Sequence, residues 1–348
     1  MEKKALSVIL ASAMVLSMTA CGGGKATETT AAATEAAKTE AAAEAAAPEA
    51  APAEVGESYT VGICQLMQLV ALDAATQGFK DALTEELGDR VTYDEQNAQG
   101  DSNTCSTIIN SFVSSEVDLI MANATPALQS AQAGTNEIPI LGTSVTEYGV
   151  ALGIDGFDGT VGGNISGTSD LAPLDEQAVM LKELFPDAQK IGLLYCSAEA
   201  NSQYQVDTVK SYLEEAGCTC EYYAFADSND LATIVTKAVE DNDVLFVPTD
   251  NTIAANAAIV DNIAQPAGVP IVGGDQGICE GCGVATICIE YYDLGVATGK
   301  MAAKVLTGES NISEMPIEYA PQFTKVFNTR VAGALGMEMP EGYTQIGE

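Results

Sequence analysis

The chain has no histidine and no tryptophan among its 348 residues, and only 14 Lys and Arg against 49 Asp and Glu. Without histidine there is no imidazole base, no Ser-His or Cys-His nucleophile pair and no His ligand for zinc. So few cations, at a net charge of −35, argue against nucleic acid as a partner, because phosphate contacts need Lys and Arg. The sequence also lacks a P-loop, a Gly-x-Gly-x-x-Gly turn and a Gly-x-Ser-x-Gly elbow. No catalytic group, cofactor or metal is therefore expected, and the chain reads as a non-enzyme. Long apolar runs are scarce as well. The N-terminal one, Ala5 to Leu16, is too short to span a bilayer comfortably.

That N-terminal run has a basic start in Lys3 and Lys4 and ends in Met18-Thr19-Ala20-Cys21. It resembles a bacterial lipobox, with residues 1–20 a signal peptide and Cys21 the lipidated first residue of the mature chain. Residues 21–57 are an Ala/Glu/Thr tract with Pro48 and Pro52 and almost no branched or aromatic side chains. Such a tract buries too little apolar area to offset its chain entropy, so a disordered tether is expected. Of the nine cysteines, those in apolar runs, such as Cys196, read as small core hydrophobes. Cys279 and Cys282 have the spacing of half a zinc site or a redox pair, but with no second such pair and no histidine they are read as free thiols, ahead of a local surface disulfide and of a metal site.

From Tyr59 onward short apolar runs alternate with amphipathic stretches, the pattern of βαβ units around parallel sheets. Three segments recur in order: TVGICQL with KIGLLYCS, DLIMANATPA with DVLFVPTDNT, and IPILGTSV with VPIVGGDQ. The inferred architecture is two similar α/β lobes, Rossmann-like, with a helix over Ile253–Ala264 in the second. GGNISGTSD (162–170) reads as a hinge, and the segments around 285–295 and 314–323 read as two more crossings. The lobes are then 59–167 with 290–318, and 168–289 with 319–348. A cleft between them, spanned by three strands of chain, can open and close.

Ligands of open α/β sheets lie outside the carboxyl ends of the strands. In the first lobe those ends carry Gln65 and Gln68, Thr125 and Ser144; in the second, Ser197, Glu199 and Asn201, then Asp250 and Asn251, then Asp275. Thr125 and Asn251 are natural helix caps beside amides that hold a carboxylate, and Glu199, Asp250 or Asp275 can hold an ammonium. Together they suit an amino acid zwitterion; singly, each is equally a cap with no ligand. The pair Tyr291-Tyr292 is read as packing between the lobes, with stacking on a ligand the alternative.

These segments, QLMQLVALDAATQGFKDAL, NAQGD, ATPA, GGNISGTSD, SAEANS, VPTDNT and IEYYDLG, resemble the tryptophan/tyrosine-type substrate-binding proteins of ABC transporters over 59–340. The resemblance implies a type I periplasmic-binding-protein fold with a three-crossing hinge and no enzymatic activity. It also implies a monomer, lipid-anchored outside the cytoplasm, that delivers an aromatic or hydrophobic amino acid to a membrane permease. It adds Leu69 and Glu290 to the candidate ligand contacts. Many relatives read Gln-Leu-Val-Glu-His-Pro where this chain has Gln65-Leu66-Met67-Gln68-Leu69-Val70, so an acid and an imidazole are replaced by an amide and a leucine. A sensory module using the same cleft is the alternative function.

Overall fold

A computed structural model describes residues 57–347. The predicted signal peptide, Cys21 and nearly all of the predicted tether lie outside the described residues. Among those described, no helix is long and apolar enough to cross a membrane.

The first half runs β1 (Tyr59–Gln65), α1 (Val70–Leu87), β2 (Val91–Asn97), α2 (Ser102–Ser114), β3 (Leu119–Asn123), α3 (Thr125–Gly134), β4 (Ile140–Val145), α4 (Tyr148–Leu152) and β5 (Ile165–Ser169). The second runs α5 (Leu174–Leu184), β6 (Lys190–Cys196), α6 (Ala200–Glu215), β7 (Thr219–Phe225), α7 (Ser228–Asp241) and β8 (Val244–Val247). It continues with α8 (Asn251–Ala255), α9 (Ala257–Ala267), β9 (Ile271–Gly273), α10 (Gln276–Gly281) and β10 (Ala285–Cys288). The chain then returns through α11 (Tyr291–Leu306) and β11 (Glu318–Tyr319), and ends in β12 (Thr324–Asn328), α12 (Thr329–Leu335) and β13 (Thr344–Ile346).

Two sheets result, ordered β11-β5-β4-β3-β1-β2 and β13-β12-β10-β9-β8-β6-β7. All pairings are parallel except β10 with β12. The central strands β3 and β8 are buried along their whole length, as strands covered by helices on both faces must be. The order β2-β1-β3-β4-β5 in one sheet is matched by β7-β6-β8-β9-β10 in the other, so the recurring segments occupy equivalent places. In each sheet the chain reverses direction of travel beside the first strand, which places a crevice at the ends of β1 and β3 and another at the ends of β6 and β8.

The chain passes between the sheets at 170–173, 289–290 and 320–323. Here the structure departs from the expectation for GGNISGTSD. Gly162 and Gly163, at φ 79° and 60°, make the turn, but Ile165–Ser169 are buried strand β5. The crossing begins at Asp170. The helix expected over 253–264 is broken at Asn256, whose φ of −121° ends α8 and starts α9. Cys279 and Cys282 are buried free thiols, as are the other six cysteines described, so the surface disulfide is not formed.

Helices α1 and α11 meet more closely than side chains would permit. A Cβ on Gly295 would lie 2.0 Å from the Ala75 carbonyl oxygen, and one on Gly78 would lie 2.1 Å from that of Tyr292. Glycine at both positions brings the N-termini of the two helices side by side, at the level of the crossings.

Candidate functional site

A cavity of about 320 Å³ lies among the crossings, lined from one side by Leu69–Leu72, Ser144 and Thr146 and from the other by Asn201, Thr249–Asn251, Asp275 and Gly277. Asp170 on the first crossing and Tyr291 at the start of α11 complete the wall, with Ala254, Ala257, Glu280 and Gly281 beside them.

The backbone turns sharply where the sheets deliver these side chains. Pairing of β4 with β5 slips between Gly142 and Val145, and Ser144 within the slip has φ 53°. Such a bulge re-aims a side chain, and a non-glycine residue held at positive φ is a strain that recurs at binding sites. The Ser144 hydroxyl is buried with no protein partner.

Asp170 is 5% exposed. Its Oδ2 accepts the Tyr291 hydroxyl at 2.9 Å, while Oδ1 is buried and unpartnered. Asn201 donates to the Thr249 carbonyl at 3.0 Å, leaving its Oδ1 buried and unpartnered. A hydroxyl, a carboxylate oxygen and an amide oxygen thus border the cavity without a hydrogen-bond partner, Ser144 from the first lobe, Asn201 from the second and Asp170 from the crossing. Buried polar atoms are rarely left this way.

Among the described residues no Lys or Arg lines the cavity, although Asp170, Asp250 and Asp275 do. Burial raises all three carboxyls above the ordinary carboxylate range, Asp275 to about 7. The Tyr291 hydroxyl partly offsets the shift at Asp170, and the neighbouring Glu199 adds to it at Asp250. Desolvated acids without a cation favour a positive ligand.

On the side of Ser144, α1 begins without a cap. Leu69 occupies the cap position and has no side-chain oxygen to offer the helix. The amides of Val70, Ala71 and Leu72 have no carbonyl four residues back, and these residues line the cavity. A helix start of this kind attracts an anionic group.

Of the residues singled out from sequence, Leu69, Ser144, Asn201, Asp250, Asn251 and Asp275 meet at the cavity. The others stand elsewhere, for identifiable reasons. Gln65 is buried under α1, donating to Met67 and Asp73 and accepting from Thr76 at 2.6 Å. Thr125 is buried as the first residue of α3, and the cap position belongs to Ala124, at φ 90°. Asn251 likewise follows the cap of α8, which is Asp250. Ser197 donates to Phe225. Glu199 spends both carboxylate oxygens on the start of α8, accepting from the amides and side chains of Asn251 and Thr252 at 2.7–3.1 Å. Asp250 is similarly engaged with the amides of Cys196 and Ile253. Glu199 therefore has no acceptor site left for an ammonium, whereas Asp250 keeps one on each oxygen. Gln68 faces a separate hollow with Asn97 and Ser228, and Glu290 an adjoining chamber. Asp170 and Tyr291 went unrecognised, one read as hinge and the other as packing. The packing is real, since Tyr291 is buried, but its hydroxyl also holds Asp170 at the cavity.

Residues 60–345 match the family described as ABC transporter substrate binding protein. The chain belongs to this family. A relative named tyrosine-binding protein, from Clostridioides difficile strain R20291, is 35% identical over 281 residues, 80% of this chain and 81% of the relative. A solved structure of an ABC domain in complex with L-Trp, from Streptococcus pneumoniae, overlays with a TM-score of 0.79 at 33% identity, covering 83% of this chain and 99% of that one. The ligand-free, open structure of a substrate-binding protein with adhesive properties from Clostridium difficile gives 0.65 at 36% identity, with the same coverage. ABC substrate-binding proteins are not enzymes. They work outside the cytoplasm, handing a solute to the membrane permease of an importer, and that is the function of this chain.

Proposed function

We propose that the solute is an amino acid with an aromatic or hydrophobic side chain, gripped at its ammonium by Asp170, Ser144 and Asn201. The carrying observation is the trio of buried unpartnered atoms, Ser144 Oγ, Asp170 Oδ1 and Asn201 Oδ1, around a cavity that an uncapped helix start also borders. The carboxylate sits on the amides of Val70, Ala71 and Leu72, and Asp275 adds negative charge behind the ammonium. The side chain lies against Leu69, Leu72, Ala254 and Ala257, with Gly277 and Gly281 leaving room for a ring. Two relatives, one named for tyrosine and one solved with L-Trp, support the aromatic choice. Asp250 and Asn251 shape the wall rather than grip the ligand.

The lobes are 59–169 with 291–319 and 174–288 with 324–347, a shift from the expected ends at 167 and 318 because β5 and β11 both belong to the first sheet, and the protein acts as a monomer, anchored by lipid on Cys21 through the tether 21–57. Titration calorimetry of the folded domain against the twenty amino acids tests the ligand, and absence of heat with every one of them rules the reading out. For the anchor, Cys21→Ala releases the protein from the membrane fraction; retention of that variant argues against lipidation.

A further inference from the structure

The cavity does not end at Val70. A second chamber of about 140 Å³ shares Val70, Ala71, Gly277, Glu280 and Tyr291 with the first and continues between Ala74, Gln276, Ile289, Glu290 and Tyr292. At the seam Val70 is 82% exposed, an apolar side chain that an amino acid confined to the first chamber need not touch. The second chamber is acidic and holds no Lys or Arg. Glu280 is engaged by Gln276 at 2.7 Å. Glu290 occupies the cap position of α11 without bonding to the helix, so its carboxylate is available.

Resting on the amino-acid reading above, the geometry points to a wider ligand class: α-amines extended through the carboxyl carbon, namely amino acid amides and dipeptides, with a cationic second residue preferred. The ammonium and first side chain stay in the first chamber. The amides of Val70 and Ala71 can bond a peptide carbonyl in place of a carboxylate, since both offer oxygen lone pairs, with the charge-assisted part of the interaction lost. The second residue passes Val70, covers it, and meets Glu290. The acidic lining penalises a second residue bearing an acid and favours lysine or arginine.

Calorimetry on the folded domain with L-tyrosine, L-tyrosinamide, tyrosyl-lysine and tyrosyl-glutamate tests this, the tyrosyl group being replaced by whichever amino acid binds best. The amide is expected to bind about tenfold more weakly than the free amino acid, as loss of the charge at the helix start requires, and the lysyl dipeptide about tenfold more tightly than the glutamyl one, as one close charge pair allows. Glu290→Gln removes most of that preference. Ala74→Phe, which fills the second chamber, abolishes dipeptide binding and leaves the free amino acid unchanged. If the free amino acid binds but amide and dipeptides are weaker by about a hundredfold or more, the chamber is only the mouth of the cleft and the inference falls alone. If no amino acid and no dipeptide binds, the amino-acid reading falls and takes the inference with it.

Discussion

Asp170 and Glu199 are both buried acids at the cleft, and they differ in what they have left to give. Glu199 accepts four hydrogen bonds from the first turn of α8, whereas Asp170 accepts one from Tyr291 and keeps an oxygen bare. Substitution should separate the two. Asp170→Asn keeps an acceptor for Tyr291 but removes the charge, and amino acid affinity should fall roughly 10- to 100-fold, as for a hydrogen bond to a charged group worth about 1.5–3 kcal/mol. Melting of the empty protein should hardly change; an unaltered Kd would discard Asp170 as the anchor. Glu199→Gln should do the reverse, because an amide cannot accept at both ends. Leaving α8 donors unpaired should cost about 1–3 kcal/mol, read as a lower urea midpoint. In sequence the two acids looked alike, each a carboxylate near a strand end. Which one is free depends on which amides lie within 3 Å, and that distance is set by tertiary packing.

The elements were more legible than their ends. Alternating apolar runs marked the parallel strands because a strand covered on both faces is apolar throughout. The tandem recurrence also placed β6, β8 and β9 opposite β1, β3 and β4. What pattern could not show was that Gly-rich GGNISGTSD is mainly strand. Its glycines and serines suit a hinge, yet Gly167 lies where a Cβ would strike the Gly142 carbonyl at 2.1 Å, so small residues are needed for β5 to reach β4. The same logic governs α1 and α11. Gly295→Ala places a methyl on the Ala75 carbonyl, and overpacking of this kind costs about 1–3 kcal/mol. Chemical denaturation should show that loss together with weakened ligand binding, since the shift moves Tyr291 and the start of α1 with it. A variant as stable as wild type would mean the helices can part without strain.

At the scale of the whole molecule the excess of acid over base, plain in the composition, extends inward: the binding cavity has buried carboxyls and no cation. This couples ligand binding to pH. Asp275, at about 7 in the fold and about 3.9 in an unfolded chain, is protonated in the empty protein over a range where an unfolded Asp would be charged. The folded state therefore holds the extra proton between those two values, so stability of the empty protein falls as pH rises from about 4 to about 7 and is level above, as far as this group is concerned. Asp170 and Asp250, also raised by burial, act in the same direction. An ammonium ligand reverses the balance. It needs the carboxylates ionised, so binding below about pH 7 must expel protons, and affinity should drop about tenfold per pH unit for each proton released. Calorimetry at pH 8 and pH 5.5, in buffers of different ionisation enthalpy, counts those protons directly. Asp275→Asn isolates the contribution, because asparagine caps α10 about as well as aspartate but does not titrate. It should flatten both the pH slope of Kd and the acid-side gain in melting temperature. A Kd constant from pH 5.5 to 8 in the wild type would mean that these acids are not what the ligand meets, and the positive group would have to be sought elsewhere in the cleft.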